Sequence, residues 1–315
     1  MAVTTQRPDR SRQAAPPRPQ GYSRRRGRMD LLTGYVFVLP NLLLLVLFLF
    51  IPLAWAFVLS FQKVGSFGPS SWVGLANYRQ LVTDPVFWRT LVNTLVFTFA
   101  TVPTSVAIGL GLAVLLNKAL PGRGIFRTVI YLPIVISGLV TSLIGLLMFG
   151  EGVGIANGVL RALNLGGLPW QTNGPLAMLS LILMTLWTRV GFAMVVYLAA
   201  IQDVPGELYE AAALDGAGAW QQFTNVTVPT VRPTTLFLLV VNVIWSFQIF
   251  DVVYVMTNGG PGYDTSMLVT YAYDRGFGPS HLYGYGSTIG IVLFVLTLLL
   301  TVVQLRLRRS GEDAL

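Results

Sequence analysis

Residues 176–201 read LAMLSLILMTLWTRVGFAMVVYLAAI, twenty-six residues with a single charge, Arg189. As a helix this run reaches about 39 Å, enough to cross the ~30 Å hydrocarbon layer of a bilayer. Five more stretches share its length and character, at about 34–61, 92–116, 128–149, 233–256 and 284–306. The segments between them are rich in Pro, Gly, Asn and charge, as at 65–74 and 164–175. No segment alternates with period two, the pattern of a membrane β-barrel. The expected fold is an all-α polytopic membrane protein with six transmembrane helices.

Composition supports this reading. Of 315 residues, 54% are apolar and 11% charged, with mean hydropathy +0.66. A soluble domain carries about 25% charged residues, so a water-facing surface of this size could not be covered. That excludes a soluble enzyme and a nucleic-acid-binding domain despite the net charge of +8. Eight arginines fall in the first 28 residues, so the basicity is largely a local tail. The chain has no cysteine and one histidine, His281, which leaves no thiolate or His-cluster metal site. His281 reads as an ordinary loop residue.

Charge also orients the chain. With the N-terminus inside, fifteen basic residues lie on the inner side against five on the outer. The positive-inside rule then places both termini in the cytoplasm. Residues 1–30 are expected to be a disordered basic tail, 31–308 the transmembrane domain, and 309–315 a cytoplasmic C-terminal tail. Ser23-Arg24-Arg25-Arg26 has a loose likeness to a twin-arginine signal. The apolar run after it is far longer than the ~7–15 residues of a signal core, so an uncleaved anchor is expected. Pro40, Pro52, Pro103 and Pro133 fall inside spans and are expected to kink them.

Two sets of polar residues stand out in the apolar runs. Thr185, Thr188, Arg189 and Phe192 share one helix face. A central arginine is a functional candidate by default; Arg189 is read either as a contact for a polar or anionic solute or as a structural partner of a carboxylate such as Asp251. Asn242, Trp245, Gln248 and Asp251 form a ladder at i, i+3 spacing. Hydrogen-bonding groups beside an indole suit a sugar, and interhelical hydrogen bonding is the alternative. Thr188, Arg189, Asn242, Trp245, Gln248 and Asp251 are the candidate substrate-pathway residues.

The segment 202–232 carries the most specific signal. Asp203 is expected to cap a helix that has Pro205 and Glu207 in its first turn. Leu208-Tyr209-Glu210-Ala211-Ala212-Ala213-Leu214 continues it, and Gly216 is placed to end it in the left-handed conformation. A second short helix is expected at about 217–225, before Pro229. Helices shorter than ~12–15 residues are marginal alone in water, so both are expected to rest on something. Leu208, Ala211, Ala212 and Leu214 offer one apolar strip, Trp220 and Phe223 another. Glu207 and Glu210 add two carboxylates on adjoining turns.

Glu210-Ala211-Ala212, then Gly216 after three residues, then Val226 after nine more, then Val228-Pro229 resembles the EAA loop of binding-protein-dependent ABC import permeases. Val226 and Val228 stand where that family usually has Ile and Leu. Asp215-Gly216-Ala217, Phe223 and Pro233 extend the match. Gly74-Leu75-Ala76-Asn77-Tyr78, Phe250-Asp251 and Thr257-Asn258-Gly259-Gly260-Pro261 look like its carbohydrate branch, the maltose- and glycerol-3-phosphate-type first permease subunits. The likeness covers about 34–306.

The resemblance implies a bacterial plasma-membrane permease subunit that moves a sugar or glycerol-phosphate-type solute inward by alternating access. It implies a second homologous permease, two copies of an ABC ATPase subunit, an extracytoplasmic solute-binding protein and membrane lipid as partners, and no nucleic acid. ATP and Mg would be bound by the ATPase, with no cofactor in this chain. The 203–229 loop would seat in an ATPase groove through Glu207, Glu210, Ala211, Ala212, Asp215, Gly216, Phe223 and Pro229. Glu210 would meet a basic residue there, and Gly216 would set the angle between the two helices. No Gly-x-x-x-x-Gly-Lys-Ser/Thr phosphate loop occurs, so the chain is not expected to be an enzyme. The rival readings are an ATPase-independent secondary transporter or channel, and an intramembrane enzyme. The first requires intramembrane acids, for which Asp251 is the candidate. The second requires a catalytic pair or dyad that the spans do not contain.

Overall fold

A computed structural model describes residues 24–65, 69–118 and 120–312, with side chains described between 35 and 306. The chain divides into two compact units, 1–54 and 55–315. The first holds α1 (Arg24–Leu45), a π-helical turn at Val46–Phe50, and the start of α2 (Ile51–Leu59). Pro52 lacks an N–H and its ring crowds the carbonyl four residues back; the wide turn directly before it absorbs that crowding. No side chain from 35 to 59 is buried, as expected of a helix apolar on every side. The tail expected at 1–30 lies outside the described residues up to 23, and its last residues, from Arg24, are helical.

The second unit opens with a hairpin of β1 (Gln62–Lys63) and β2 (Ser71–Trp72), Gln62 facing Trp72. Then come α3 (Ala76–Thr83) and α4 (Pro85–Asn117), a 33-residue helix. They are followed by α5 (Arg123–Val135), α6 (Gly138–Phe149), α7 (Ile155–Ala162) and α8 (Gly174–Gln202). The chain continues with α9 (Gly206–Leu214), α10 (Ala219–Gln222), a π-helical turn at Phe223–Thr227, and α11 (Val228–Thr230). It closes with α12 (Arg232–Phe247), α13 (Asp251–Met256), α14 (Leu268–Phe277) and α15 (Tyr283–Glu312).

The packing of α4 along α8 forms the spine. Thr90, Thr94, Thr98, Thr101, Ser105, Gly109 and Ala113 make a buried stripe of small residues down α4. Small side chains let membrane helices approach closely. Their hydroxyls are satisfied within the helix: Thr94 donates to Thr90 O at 2.8 Å and Thr101 to Phe97 O at 2.8 Å. At Gly109 the approach is so close that a Cβ would lie 2.5 Å from Ala193 Cβ.

One polar knot fastens the end of this spine. Asp84 caps α4 by accepting from Val86 N at 2.9 Å, and its other oxygen accepts from the hydroxyls of Tyr271 and Tyr285, both at 2.5 Å. Burial alone would raise the Asp84 carboxyl, but the tyrosine hydroxyls and the Val86 and Phe87 amides outweigh it and hold it below the usual carboxylate range. Tyr271 is pushed up to about 12 by burial and by its bond to that carboxylate.

Among the described residues, four helices are each long and apolar enough to cross a membrane: Tyr35–Leu59, Pro85–Asn117, Gly174–Gln202 and Tyr283–Arg306. Two expected spans differ from the sequence reading. The stretch 128–149 is not one helix: α5 and α6 meet at 103° across Ile136-Ser137. Pro133 weakens the end of α5, and Ser137 starts a new helix by accepting from Val140 N at 3.4 Å. The stretch 233–256 is interrupted at 248–250, between α12 and α13, and the segment before α12 joins it at 64°. Each bent pair counted as one span brings the number to six. Pro103, expected to kink its span, sits within the uninterrupted helix α4.

Candidate functional site

The loop after α8 is built largely as its residue types dictate. Asp203 differs: it closes α8, its N–H donating to Ala199 O at 3.2 Å, and does not cap the next helix. Pro205 fills the cap position of α9 instead, and Glu207 lies in the first turn. At the far end Gly216 has φ +80°. Gly216 N donates to Ala213 O at 3.0 Å and Ala217 N to Ala212 O at 2.9 Å, the paired bonds of a Schellman cap. Gly218 N then donates to Gln221 Oε1 at 2.9 Å to start α10. The expected second helix, 217–225, is instead a single turn of α-helix running into the π turn 223–227 that precedes Pro229.

Little holds this loop to the rest of the chain. The hydroxyls of Tyr209 and Thr227 hydrogen-bond at 2.9 Å, and the Trp220 and Phe223 rings pack 5.4 Å apart. No residue of α9 is buried; Leu214 is 90% and Trp220 74% exposed. Glu207, Glu210, Ala211, Asp215, Gly216 and Pro229 are exposed, Ala212 and Phe223 half-buried. Two large apolar side chains thus stand exposed on adjoining stubby helices, flanked by carboxylates.

Midway along α8, at the far end of α12, lies a cavity of about 540 Å³. Its walls come from α8 and from both helix breaks: Pro133, Gly138 and Thr141 around the first, Gln248, Phe250 and Asp251 around the second. Of the residues singled out from sequence, Thr188, Arg189, Trp245, Gln248 and Asp251 line it. Asn242 does not; it is buried, with its Nδ2 donating to Leu238 O at 2.8 Å. Trp245 packs on Phe192 at 5.2 Å.

Arg189 does not pair with Asp251. Its Nη1 donates to Ser246 Oγ at 2.6 Å and to Asn242 O at 3.4 Å, across from α8 to α12. No salt bridge among the described residues involves Asp251, which begins α13 beyond the break. Its carboxylate lies so close to Gly138 that any Cβ there would collide with it. Buried hydroxyls of Thr141 and Thr185 line the same cavity with no partner among the described residues. The wall therefore offers a cation, a carboxylate, an amide, an indole and free hydroxyls beside apolar surface. Sequence reasoning did not place Pro133, Gly138, Thr141 or Phe250 at the cavity; the Pro133…Ser137-Gly138 run was the signal that could have found the first break.

Residues 82–310 match the model of the family described as the binding-protein-dependent transport system inner membrane component. The chain belongs to this family. As a permease it is the membrane subunit of an ABC importer and not an enzyme in itself. It is 36% identical to the arabinooligosaccharides transport system permease protein AraP of Bacillus subtilis, with 88% of each chain covered. It is 34% identical to the sn-glycerol-3-phosphate transport system permease protein UgpA of Pectobacterium atrosepticum, over 86% of this chain and 92% of that one. Among solved structures, a chain of a bacterial ABC transporter importing the acidic polysaccharide alginate superposes with TM-score 0.81 and 25% identity, over 91% of this permease and 98% of that chain. A second structure of a bacterial alginate transporter, in complex with an alginate pentasaccharide-bound periplasmic protein, gives TM-score 0.77 at 25% identity, over 89% and 94%.

Proposed function

We propose that this permease carries a sugar or glycerol-phosphate-type solute into the cell by alternating access, driven by a separate ATPase. The single observation that supports this best is the way the exposed loop and the cavity share helices. The 203–231 connection joins α8 directly to α12, and these two helices supply Thr188, Arg189 and Trp245 to the cavity wall. A push on the loop is therefore a push on the cavity. In this reading the chain crosses the membrane six times with both termini in the cytoplasm, α5 with α6 making one span and α12 with α13 another. Leu214 and Trp220 fill the ATPase groove, and Glu207, Glu210 and Asp215 face its basic rim. A second permease, two ATPase copies that bind ATP and Mg, and an extracytoplasmic binding protein complete the importer.

The cavity is the solute site in this reading. Thr188, Gln248 and Asp251 bind hydroxyls, Trp245 stacks on the C–H face of a sugar ring, and Arg189 attracts an anionic substituent. Asn242 acts behind Arg189 rather than on solute. The relatives named for oligosaccharide and glycerol-phosphate transport support a solute of this class. They also favour the importer over an ATPase-independent carrier or channel.

The test is to tag this permease, co-express it with the transporter genes beside it, and reconstitute the purified assembly with its binding protein. Stoichiometric retention of an ATPase and a second permease, with uptake dependent on ATP, is the expected result. Glu210→Lys is expected to stay inserted while hydrolysis and uptake part company. Solute uptake by this chain purified alone, without nucleotide, would overturn the reading.

A further inference from the structure

The segment joining α6 to α8 spends its polar side chains on holding itself together. The Glu151 carboxylate accepts from Gln171 N at 2.7 Å, Thr172 N at 2.6 Å and Thr172 Oγ1 at 3.0 Å. Asn157, buried on α7, uses all of its amide: Nδ2 donates to Glu151 O and Leu168 O, and Oδ1 accepts from Leu168 N and Trp170 Nε1. One turn on, Arg161 donates to Glu151 O and Gly152 O, both at 2.9 Å. Asn157 is buried and Arg161, though exposed, folds back on the loop, so both polar side chains of α7 are tied to the protein itself.

The opposite face carries Ile155 and Val159, and the flanking turns add Val153, Leu163 and Leu165. All five are exposed, Val153 at 98% and Leu165 at 69%. α7 packs Ala156 and Leu160 on the core, yet these five apolar side chains remain exposed on its other side, where a surface helix in water carries polar residues. An apolar patch of this kind marks a contact with something other than water.

What covers it follows from its position. The loop connects the end of α6 to the start of α8, so it lies at the membrane surface opposite the 203–229 loop. Both neighbouring helices carry exposed leucines toward the bilayer, Leu143 and Leu147 on α6 and Leu179 and Leu183 on α8. An apolar crevice of about 330 Å³, lined by Met148, Phe149, Ala156, Leu183 and Trp187, joins the three helices beneath it. The face carries no charge, whereas a docking rim for a soluble partner is polar.

We propose that residues 150–168 form an interfacial membrane anchor, with α7 lying along the bilayer surface and Ile155, Val159, Leu163 and Leu165 among the upper acyl chains. The occupant is lipid, held by area and not by headgroup recognition. The anchor fixes the height of the α6–α8 corner while the opposite side of α8 moves. This rests on membrane placement alone and is independent of the solute and of the ATPase reading.

The chain has no cysteine, so labelling within this subunit is single-site, and cysteines of the co-expressed subunits are replaced by serine. Val159→Cys, Leu165→Cys and, as an aqueous reference, Ser280→Cys are nitroxide-labelled in the full assembly, reconstituted in equimolar dioleoyl phosphatidylcholine and phosphatidylglycerol. Collisional access to oxygen and to a water-soluble nickel chelate is calibrated against lipid-borne nitroxides in the same vesicles. The expected ratio of oxygen to nickel access at 159 and 165 is several-fold above that at 280 and matches a shallow acyl-chain depth. Nickel access equal to that at 280 overturns the proposal, as does exclusion of both agents, which would mean that a protein surface covers the face. All three positions are exposed, so co-purification of the labelled assembly verifies folding without disturbing the readout.

Discussion

Gly216 is the point at which a single methyl group tests the loop. Its φ of +80° lies in the left-handed region, and a Cβ built there meets nothing within 4 Å. Gly216→Ala therefore adds no clash with a neighbour; its whole effect is the cost of holding an L-residue in that conformation, about 1–2 kcal/mol. At 1.4 kcal/mol per factor of ten, the population with the Schellman cap closed falls about five- to thirtyfold. The cap orients α9 against α10, so the same factor applies to any partner that requires both helices in place. Asn tolerates this region better than Ala, and a β-branched side chain tolerates it worse.

The expected order is Gly, then Asn, then Ala, then Val, read as retention of the ATPase on the tagged permease and as solute-stimulated hydrolysis in proteoliposomes. Gly206→Ala is the matched control. It lies at the start of α9, outside the left-handed region and with equally open surroundings, and it is expected to be neutral. Equal behaviour of Gly216→Ala and wild type would refute the reasoning. So would an Asn variant no better than Ala, because loss would then not follow backbone conformation.

Three further outcomes are expected. Trp220→Ala should weaken ATPase binding by about 2 kcal/mol or more, since the ring is a large exposed apolar anchor and such anchors dominate interfaces; thermal unfolding of the permease alone should not change. Gly191→Ala should lower the unfolding temperature in detergent by an amount equivalent to about 1–3 kcal/mol, because a Cβ there meets the backbone of Ile130 and Tyr131, which cannot rotate away; Gly124→Ala on the same α5, with open surroundings, should not. Asp84 has its carboxyl held below the ordinary range, so its contribution to stability is present above about pH 4 and disappears as pH falls through its lowered value. Thermal scans from neutral to acid pH should show that limb, and Asp84→Asn should be less stable at neutral pH with a flatter acid side.

The parts legible from sequence are those that local chemistry decides. α8 is a continuous apolar run started by Asn173-Gly174-Pro175, with Asn173 accepting from Leu176 N as a cap should. Gly216 ends α9 because only its type sits easily at positive φ. The breaks were not legible, for two different reasons. Pro103 and Pro133 look alike in sequence, yet α4 continues through the first while α5 ends beyond the second; what differs is Ser137-Gly138, which restarts a helix in a new direction. The α12–α13 break has no breaker at all in Gln248-Ile249-Phe250. Tertiary packing makes it, with Asp251 set against a glycine that leaves it room. Asp251 was the carboxylate offered as an example of a partner for Arg189; it lies beyond the break, against Gly138 of α6. Ser246, the real partner, is too ordinary a residue to be singled out by type.

That partner gives the strongest argument for how loop and cavity communicate. α8 and α12 leave the loop side by side and are tied twice on the way up. Tyr197 OH donates to Thr235 Oγ1 at 2.8 Å, and beyond it Arg189 reaches Ser246 at 2.6 Å. From Arg189 to the end of α8 is roughly 20 Å of helix at 1.5 Å per residue. Two rungs across a helix pair make a lever, and packed elements shift as units rather than bend. Ser246→Ala removes the inner rung and leaves a buried guanidinium with only the longer bond to Asn242 O. Losing a hydrogen bond to a buried charge costs about 1.5–3 kcal/mol, while Ser246→Thr keeps the hydroxyl. If the lever is real, the alanine variant keeps its ATPase and hydrolyses ATP, yet moves less solute per ATP, and threonine restores the ratio. An unchanged ratio in the alanine variant would mean that the two helices transmit force independently and that the Arg189 rung serves stability alone.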